Sequence, residues 1–406
     1  MTTPTDPTFR PHLRGELAAE PHGDRVHLYD RIRIGTPLTL TPFAFQIVKL
    51  FGGTRSVAEL RADIARELPG LNLPDHVVPG LVQGLDDALL LDSPRFREEI
   101  RRRNSEPSRR PVCAGVYDAD PDKCRAQLDA LFTAPGGPGL PAGEPSDDLR
   151  AVLVPHMDFG RGNVTYGWGF KALAEQTRAR TFVIVATAHY SAHRFTLTRQ
   201  NFATSLGVVE TDQAYIDRIV TGYGDGLFDD PLAHIPEHSI ELEVVFLQHL
   251  FAGRGPIRIV PLLVGSFHDC VAGGHLPDDA PDVSRMVTAL QTAEAACPEP
   301  VCYVVSGDLA HIGPKFGDTR KAEGSWLAAS EQRDRAVLKW LDAADASGYF
   351  REVASEKDER RICGLSPTWL ALAAARPRTG TVLHYQQFVH PEGFESVSFA
   401  AAAFHA

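Results

Sequence analysis

Two histidines stand directly after strongly apolar stretches of the chain, where they could bind a metal ion. His156 lies in AVLVPHMDFG and His189 lies in TFVIVATAHY. Continuous runs rich in Val and Ile are typical of buried parallel strands, and open α/β sheets bind ligands at the carboxyl ends of such strands. A single histidine there is more often a hydrogen-bonded loop residue. Two from consecutive strands favour a shared metal, because imidazole nitrogen is a good ligand for iron, zinc and copper.

A third apolar run ends in the same way and adds a carboxylate and an imidazole. The stretch VCYVVSGDLAHIG carries Asp308 and His311, three residues apart, which suits acid–base chemistry beside a metal. Asp308 could equally cap a following helix. Asp158, two residues after His156, is a candidate carboxylate for supporting a ligand.

Two further stretches carry candidate groups whose roles the residues alone leave open. PEHSIELEVVFLQHLF predicts a helix over 238–251 with Glu237 and His238 at its start. Glu237 could reach the site or cap the helix dipole. Cys363, in RRICGLSPTW, precedes a predicted helix at 366–375 and could be a nucleophile, a metal ligand or an inert buried thiol.

The elements that must position these residues follow an α/β rhythm after residue 150. Strands are predicted at 151–155, 181–186, 257–264 and 301–306, with helices between them and two later strands near 380–388 and 394–400. We expect a central, mostly parallel sheet. Residues 1–97, with short strands and three helices, predict a small winged-helix (α+β) module. Residues 98–110 are charge-dense and predict a linker to the main domain at 111–406.

Composition excludes several classes of function. The 406 residues carry a formal net charge of −11, and so a basic nucleic-acid-binding surface is not expected. No apolar run is long enough to span a membrane, and no secretory signal is evident, which predicts a cytoplasmic protein. The six cysteines form no CxxC pair, as expected of free thiols.

The N-terminal segment resembles the PqqD-like family. LTPFAFQIVKLFGGTRSVAELRADI carries the resemblance, with Ser56 and Glu59 spaced as a helix capping box. The resemblance implies a module that binds a peptide beside a radical-SAM enzyme. A module that only packs on the main domain is an equal alternative.

Residues 111–406 resemble the Memo family, also called AmmeMemoRadiSam system protein B. The matching stretches run in family order: PVCAGVYDADPDKCRAQLDAL, VPHMDFGRGNVTYGW, ATAHYSAH, EHSIELEVVFLQ, IRIVPLLVG, SGDLAHIG and ICGLSPTWLAL. The resemblance implies the fold of LigB-type extradiol dioxygenases. The chain departs from the family pattern in two places. Beside the first histidine, Met157 and Asp158 replace Ala-Gly. At the start of the domain, Cys113 replaces a histidine.

The family resemblance also implies a ligand set and a chemistry. It places the metal ligands at His156, His189 and Cys363 and an acid–base group at His311, with Asp308, Glu237, His238 and Asp158 around them. One transition metal is expected, with Fe(II) or Cu favoured by the thiolate and Zn as an alternative. The implied function is a metal-dependent redox enzyme acting with a radical-SAM partner, and an AMMECR-like protein, on a peptide or small metabolite. A zinc-dependent hydrolase and a non-catalytic binding scaffold are the alternatives.

Overall fold

The computed structural model describes residues 6–67 and 73–406. The chain divides into two compact units, Met1–Glu106 and Pro107–Ala406, called here the N-terminal and C-terminal units. No helix among the described residues is long and apolar enough to cross a membrane.

The N-terminal unit contains a small antiparallel sheet and four helices. Its elements are β1 (Leu17–His22), β2 (Arg25–Asp30), β3 (Leu38–Leu40), α1 (Pro42–Val48), α2 (Val57–Glu67), α3 (Val77–Asp87) and α4 (Pro94–Ser105). The strand order is β1-β2-β3. Ser56 and Glu59 form the predicted capping box, since each accepts the backbone N–H of the other. Asp30 is buried and accepts hydrogen bonds from Arg14 and from three backbone N–H groups.

The segment predicted to be a linker is mostly helical. Residues 98–105 belong to α4, and the boundary between the two units falls after Glu106 instead of after residue 97. Ser93 caps the helix by accepting the N–H of Phe96 at 3.2 Å. Phe96 and Ile100, four residues apart, are buried, so the charged residues occupy only the outer face.

The C-terminal unit begins with a series of strands and helices that supplies most of one large sheet. Its elements are β4 (Ser108–Arg109), α5 (Pro121–Thr133), β5 (Leu149–Val154), α6 (Phe159–Gly162), α7 (Val164–Gln176), β6 (Thr181–Thr187), β7 (Phe195–Leu197), β8 (Asn201–Thr204), β9 (Gly207–Thr211), α8 (Gln213–Tyr223), α9 (Glu241–Phe251) and β10 (Arg258–Val264). The remaining elements are α10 (His268–Gly273), α11 (Pro281–Ala295), β11 (Val301–Ser306), β12 (His311–Ile312), α12 (Gly324–Asp342), α13 (Ala346–Ser355), α14 (Leu365–Ala375), β13 (Thr379–Val389) and β14 (Ser396–His405).

The sheet of the C-terminal unit has the order β12-β14-β5-β11-β6-β10-β9-β8-β4, with β13 paired to β14 and β7 to β10. The four central strands, β5, β11, β6 and β10, are parallel to one another. On one side β14 is antiparallel to β5, and on the other β9 runs parallel to β10, whereas β7 is antiparallel to β10 and β8 to β9. This architecture agrees with the predicted α/β fold.

Both faces of the central strands are buried. In β6, Val183 and Val185 pack into one apolar cluster, whereas Phe182 and Ile184 pack into another on the opposite face. Helices therefore cover the sheet on both sides, which explains why its strands read as continuous apolar runs.

Helix α9 begins three residues later than predicted. Residues 237–240 are not helical, and α9 starts at Glu241. The Glu237 carboxylate accepts the backbone N–H groups of His238 and Ser239, at 2.9 and 3.1 Å. These bonds hold the segment as a loop in front of the helix.

Candidate metal centre

The strand order brings the candidate residues to one place. Strand β11 lies between β5 and β6, and all three run in the same direction. His156, Asp308 and His189 follow the carboxyl ends of these three strands. They therefore meet at one edge of the sheet, where open α/β sheets bind ligands.

His156 is buried at the middle of this group, and its hydrogen bonds determine which ring nitrogen is free. Its backbone N–H donates to Asp308 Oδ1 at 3.2 Å. Its Nδ1 lies 3.3 Å from the Ser306 hydroxyl, whose own proton goes to the Ser239 carbonyl at 2.6 Å. Nδ1 must therefore be the donor, because the serine oxygen can only accept. Nε2 is left with its lone pair. Burial, together with His189 and His238 nearby, lowers the pKa of His156 well below its ordinary value, so the ring is neutral.

Glu237 orients His189 in the same way. The buried carboxylate accepts the backbone N–H of His189 at 2.7 Å and lies 2.9 Å from its Nδ1. Nδ1 is again the donor, and Nε2 is again free to bind a metal, as in carboxylate–histidine–metal arrangements. Burial opposes charge on both groups, but their attraction outweighs it. The pKa of Glu237 falls well below its usual range and that of His189 rises.

His238 completes a group of three imidazoles. Its ring stacks on that of His189 with centroids 4.7 Å apart, and its Nδ1 lies 3.2 Å from Glu237 Oε1. One ring nitrogen from each of His156, His189 and His238 lies within 4.8 Å of the others. The loop before α9, and not the helix itself, supplies this third imidazole.

Cys363 lies close to His156 because two loops pack tightly against each other. Its Sγ lies 3.4 Å from His156 Nε2, and its carbonyl accepts the Thr187 hydroxyl at 3.0 Å. Gly307 and Gly364 make the approach possible, because a Cβ on Gly307 would stand 2.6 Å from Gly364 Cα. Burial, reinforced by Asp308, raises the pKa of the Cys363 thiol well above its ordinary value.

Asp308 joins the same group. Its Oδ2 lies 3.6 Å from His156 Nε2, and the donor atoms of His156, Asp308 and Cys363 lie within 4.8 Å of one another. Burial raises the pKa of Asp308 to about 7, against the lowering effect of the His156 backbone N–H. The sequence interpretation gave Asp308 only a supporting role, whereas its position makes it a candidate ligand as well.

The separations suit a bound metal ion. Two donors bound tetrahedrally at about 2.0–2.3 Å lie about 3.5 Å apart. The separations of Cys363 Sγ and Asp308 Oδ2 from His156 Nε2, 3.4 and 3.6 Å, match this value. The donor set combines thiol, imidazole and carboxylate, which suits iron, copper or zinc better than calcium or magnesium.

His311 lies beside the donor group with a defined tautomer. Its Nδ1 lies 3.0 Å from the Leu309 carbonyl and 3.1 Å from the Arg361 carbonyl, so Nδ1 carries the proton. Burial lowers its pKa to about 4, although these carbonyls oppose the change. A neutral ring with a free Nε2 can accept a proton.

Asp158 is not brought into the donor group. Its Oδ1 accepts the N–H of Arg161 at 3.1 Å and caps the short helix α6, and its Oδ2 pairs with the Arg161 guanidinium. Among the described residues, neither group of three donors includes it.

Sequence reasoning missed the two carboxylates inside α9 and the serine that orients His156. Glu241 is buried and accepts hydrogen bonds from Arg109, from the N–H groups of Val112 and Cys113, and from Tyr117. Glu243 is also buried, but among the described residues neither of its carboxylate oxygens has a hydrogen-bond partner. Two acids within the otherwise apolar stretch ELEVVFL were the available signal.

Comparison with known proteins matches residues 109–404 to the family described as Memo-like protein. The chain belongs to the Memo-like family. A MEMO1 family protein of Aquifex aeolicus is 24% identical over 395 residues, covering 95% of this chain and 97% of that protein. A MEMO1 family protein of Methanopyrus kandleri, MK0963, is 27% identical over 275 residues, covering 66% and 87%. The Memo resemblance of the main domain is confirmed, while the PqqD-like resemblance stays a prediction.

An uncharacterized protein of Escherichia coli K12, JW3007, aligns with 63% of this Memo-like chain and 99% of its own, at 13% identity and a TM-score of 0.38. Likeness at this level carries no argument about the site.

Proposed function

We propose that this protein is a metal-dependent redox enzyme that holds one iron or copper ion at His156, His189 and Cys363. The observation that supports the proposal best is the 3.4 Å approach of the Cys363 thiol to the free Nε2 of His156. Without a cation, burial keeps the Cys363 thiol protonated. Binding a metal would release that proton, because the thiolate is the ligand.

The surrounding residues have separate roles in this proposal. Glu237 holds His189 with Nε2 toward the donor group, and Ser306 does the same for His156. His311 offers a free Nε2 that can take a proton from a bound substrate and return it. A bound iron or copper ion would supply a one-electron redox centre with positions open to O₂ or to a substrate oxygen.

Metal content tests the ligand assignment. Full-length protein would be purified anaerobically from cells supplied with iron, copper and zinc, and its metals measured by mass spectrometry. We expect iron or copper in the wild type, and a loss of most of it in Cys363→Ala. Cys302→Ala is the matched control, because Cys302 is a buried cysteine in β11 that belongs to neither donor group.

Two outcomes would contradict the proposal. Full metal occupancy in Cys363→Ala would remove the thiolate from the ligand set. Zinc in the wild type, despite available iron and copper, would favour the hydrolase, because two histidines, one cysteine and water form a known catalytic zinc site. A visible thiolate-to-metal charge-transfer band that is absent from Cys363→Ala would support the redox assignment independently of any substrate.

We further propose a cytoplasmic protein that works with a radical-SAM enzyme, and with an AMMECR-like protein, on a peptide or small metabolite. Support comes from the family resemblance and from the separate N-terminal unit, which would bind the peptide as PqqD-like modules do. Co-purification of a radical-SAM enzyme with the full chain, but not with a chain lacking residues 1–106, would support this assignment. Equal recovery with both chains would contradict the role given to the N-terminal unit.

A further inference from the structure

A cleft rich in arginine opens at the start of helix α12, in the C-terminal unit. It has a volume of about 350 Å³ and is lined by Arg320, Trp326, Arg333 and Arg360, with Ser325 and Ser330. None of these residues belongs to the two donor groups described above. The volume lies at the lower end of the range typical of small-molecule sites.

The Arg320 guanidinium is the cation most available to a ligand. It lies over the Trp326 ring at 4.0 Å from the ring centroid. The charge of Arg320 contributes to lowering the pKa of Asp318, but the ion pair of Asp318 is with Arg361, at 2.9 Å. Within the described part of the chain, no carboxylate comes within ion-pair distance of Arg320.

The other two arginines are fixed in the wall of the cleft. Glu356 pairs with both Arg333 and Arg360, and Asp334 pairs with Arg360 from inside the protein. Asp358 also interacts with Arg360, and so Arg320 is the one of the three guanidinium groups that lacks an ion pair within the described residues. Because Arg360 is buried and held on several sides, its position would change little when an anion enters.

The composition of the cleft selects one chemical class of ligand. Guanidinium groups match the oxygens of phosphate by paired hydrogen bonds, and the hydroxyl of Ser325 adds a donor. Arg320 covers one face of the Trp326 ring, and the part of the ring that lines the cleft can contact an apolar ring of a ligand. Ser325 lies in the first turn of the 19-residue helix α12, where the helix dipole favours an anion and the charge of Glu323 at the N-cap position opposes one.

We propose that this cleft binds a small phosphate monoester that carries a planar ring, with Arg320 and Arg333 on the phosphate and Trp326 against the ring. The site is separate from the metal centre but connected to it by one backbone hydrogen bond. The Arg360 carbonyl accepts the N–H of His311 at 2.6 Å. A ligand in the cleft therefore touches the residue that fixes the backbone of His311.

Phenyl phosphate is the probe that tests this proposal. Isothermal titration of the metal-loaded full chain should show one binding event per chain, and Arg320→Gln should weaken it at least tenfold, the loss of one charge-assisted hydrogen bond. Arg351→Gln is the matched control, because Arg351 is an exposed arginine on α13 outside the cleft. Both variants should keep wild-type metal content, which shows that they are folded.

The remaining arms of the experiment separate the parts of the proposal. Inorganic phosphate should bind more weakly than phenyl phosphate, and Trp326→Leu should remove this difference. Benzoate binding as tightly as phenyl phosphate would overturn the assignment to phosphate. The proposal fails outright if phenyl phosphate gives no binding heat at millimolar concentration, or if Arg320→Gln binds it as tightly as the wild type.

Discussion

Substitution by glutamine should have opposite effects on the free energy of unfolding at two neighbouring carboxylates of helix α9. Glu241 and Glu243 are both buried and stand two residues apart. Glu241 accepts hydrogen bonds from four donors, including the Arg109 guanidinium at 2.7 Å. Glu243 has none within the described part of the chain, because the nearby Ser306 hydroxyl donates its proton to the Ser239 carbonyl. Replacing each by glutamine therefore removes a paired charge at Glu241 and a titratable, unpaired carboxyl at Glu243.

The direction in which Glu243→Gln changes the free energy of unfolding follows from the pKa of Glu243. Burial raises the pKa of Glu243 well above its ordinary value, so the folded protein holds a proton that the unfolded chain releases above about pH 4.3. The native state therefore loses stability as pH rises through that value toward the folded pKa. Glu243→Gln does not titrate and so lacks this penalty, which grows by about 1.4 kcal/mol per pH unit above the unfolded pKa while the folded carboxyl stays protonated. Relative to the wild type, its free energy of unfolding should therefore be higher by up to about 4 kcal/mol more at pH 8 than at pH 5. At pH 5 the gain should be much smaller.

Glu241→Gln should lower the free energy of unfolding at both pH values. Removing one partner of a buried ion pair costs about 3–5 kcal/mol, because Arg109 would be left without its counter-charge. Urea unfolding at pH 5 and pH 8, followed by circular dichroism, compares the two variants with the wild type. If Glu243→Gln is destabilised at pH 8, or if its gain is the same at both pH values, the assignment of Glu243 as a neutral, unpaired acid is wrong.

Three further results are expected. Glu237→Gln should weaken metal binding about 10–100-fold by releasing His189 from its fixed orientation, as competition with a chelator would measure. Metal occupancy should fall as pH falls, because protons compete for the Cys363 thiol and for His189, whose pKa is raised; dialysis at pH 8 and pH 5 followed by metal analysis checks this. Asp30→Asn should destabilise the N-terminal unit by about 3 kcal/mol, because it removes the buried carboxylate that pairs with Arg14 and leaves only the partly exposed Glu16, 3.5 Å away, as a counter-charge; hydrogen exchange should increase there while the C-terminal unit is unchanged.

The sequence predicted the sheet, and the edge of it at which several candidate residues meet, for a physical reason. Strands buried on both faces must be apolar throughout, so β5, β6 and β11 were evident from composition. A polar residue directly after such a strand has to lie at the edge of the sheet. This reasoning found His156, His189 and Asp308 without any knowledge of the strand order.

Other features depend on tertiary contacts that no local pattern contains. Helix α9 begins at Glu241 because Glu237 is committed to His189, which is 48 residues away in the chain. Cys363 reaches His156 only because two distant loops meet, and so its spacing alone could not distinguish a ligand from an inert thiol. The charged segment 98–105 is helical because Phe96 and Ile100 are buried, a pattern too short to stand out among its arginines.

The contact between Gly307 and Gly364 has a consequence for how variants of this protein are interpreted. A Cβ on Gly364 would stand 2.7 Å from the Asp308 carbonyl oxygen, and so even alanine would push the two loops apart. Neither glycine has a side chain that could bind a metal, yet together they limit how far Cys363 can lie from His156. We expect a variant at either position to keep every candidate donor residue and still weaken metal binding. Attempts to rebuild this site in another protein would therefore have to transfer the bare backbone of both loops along with the donor residues.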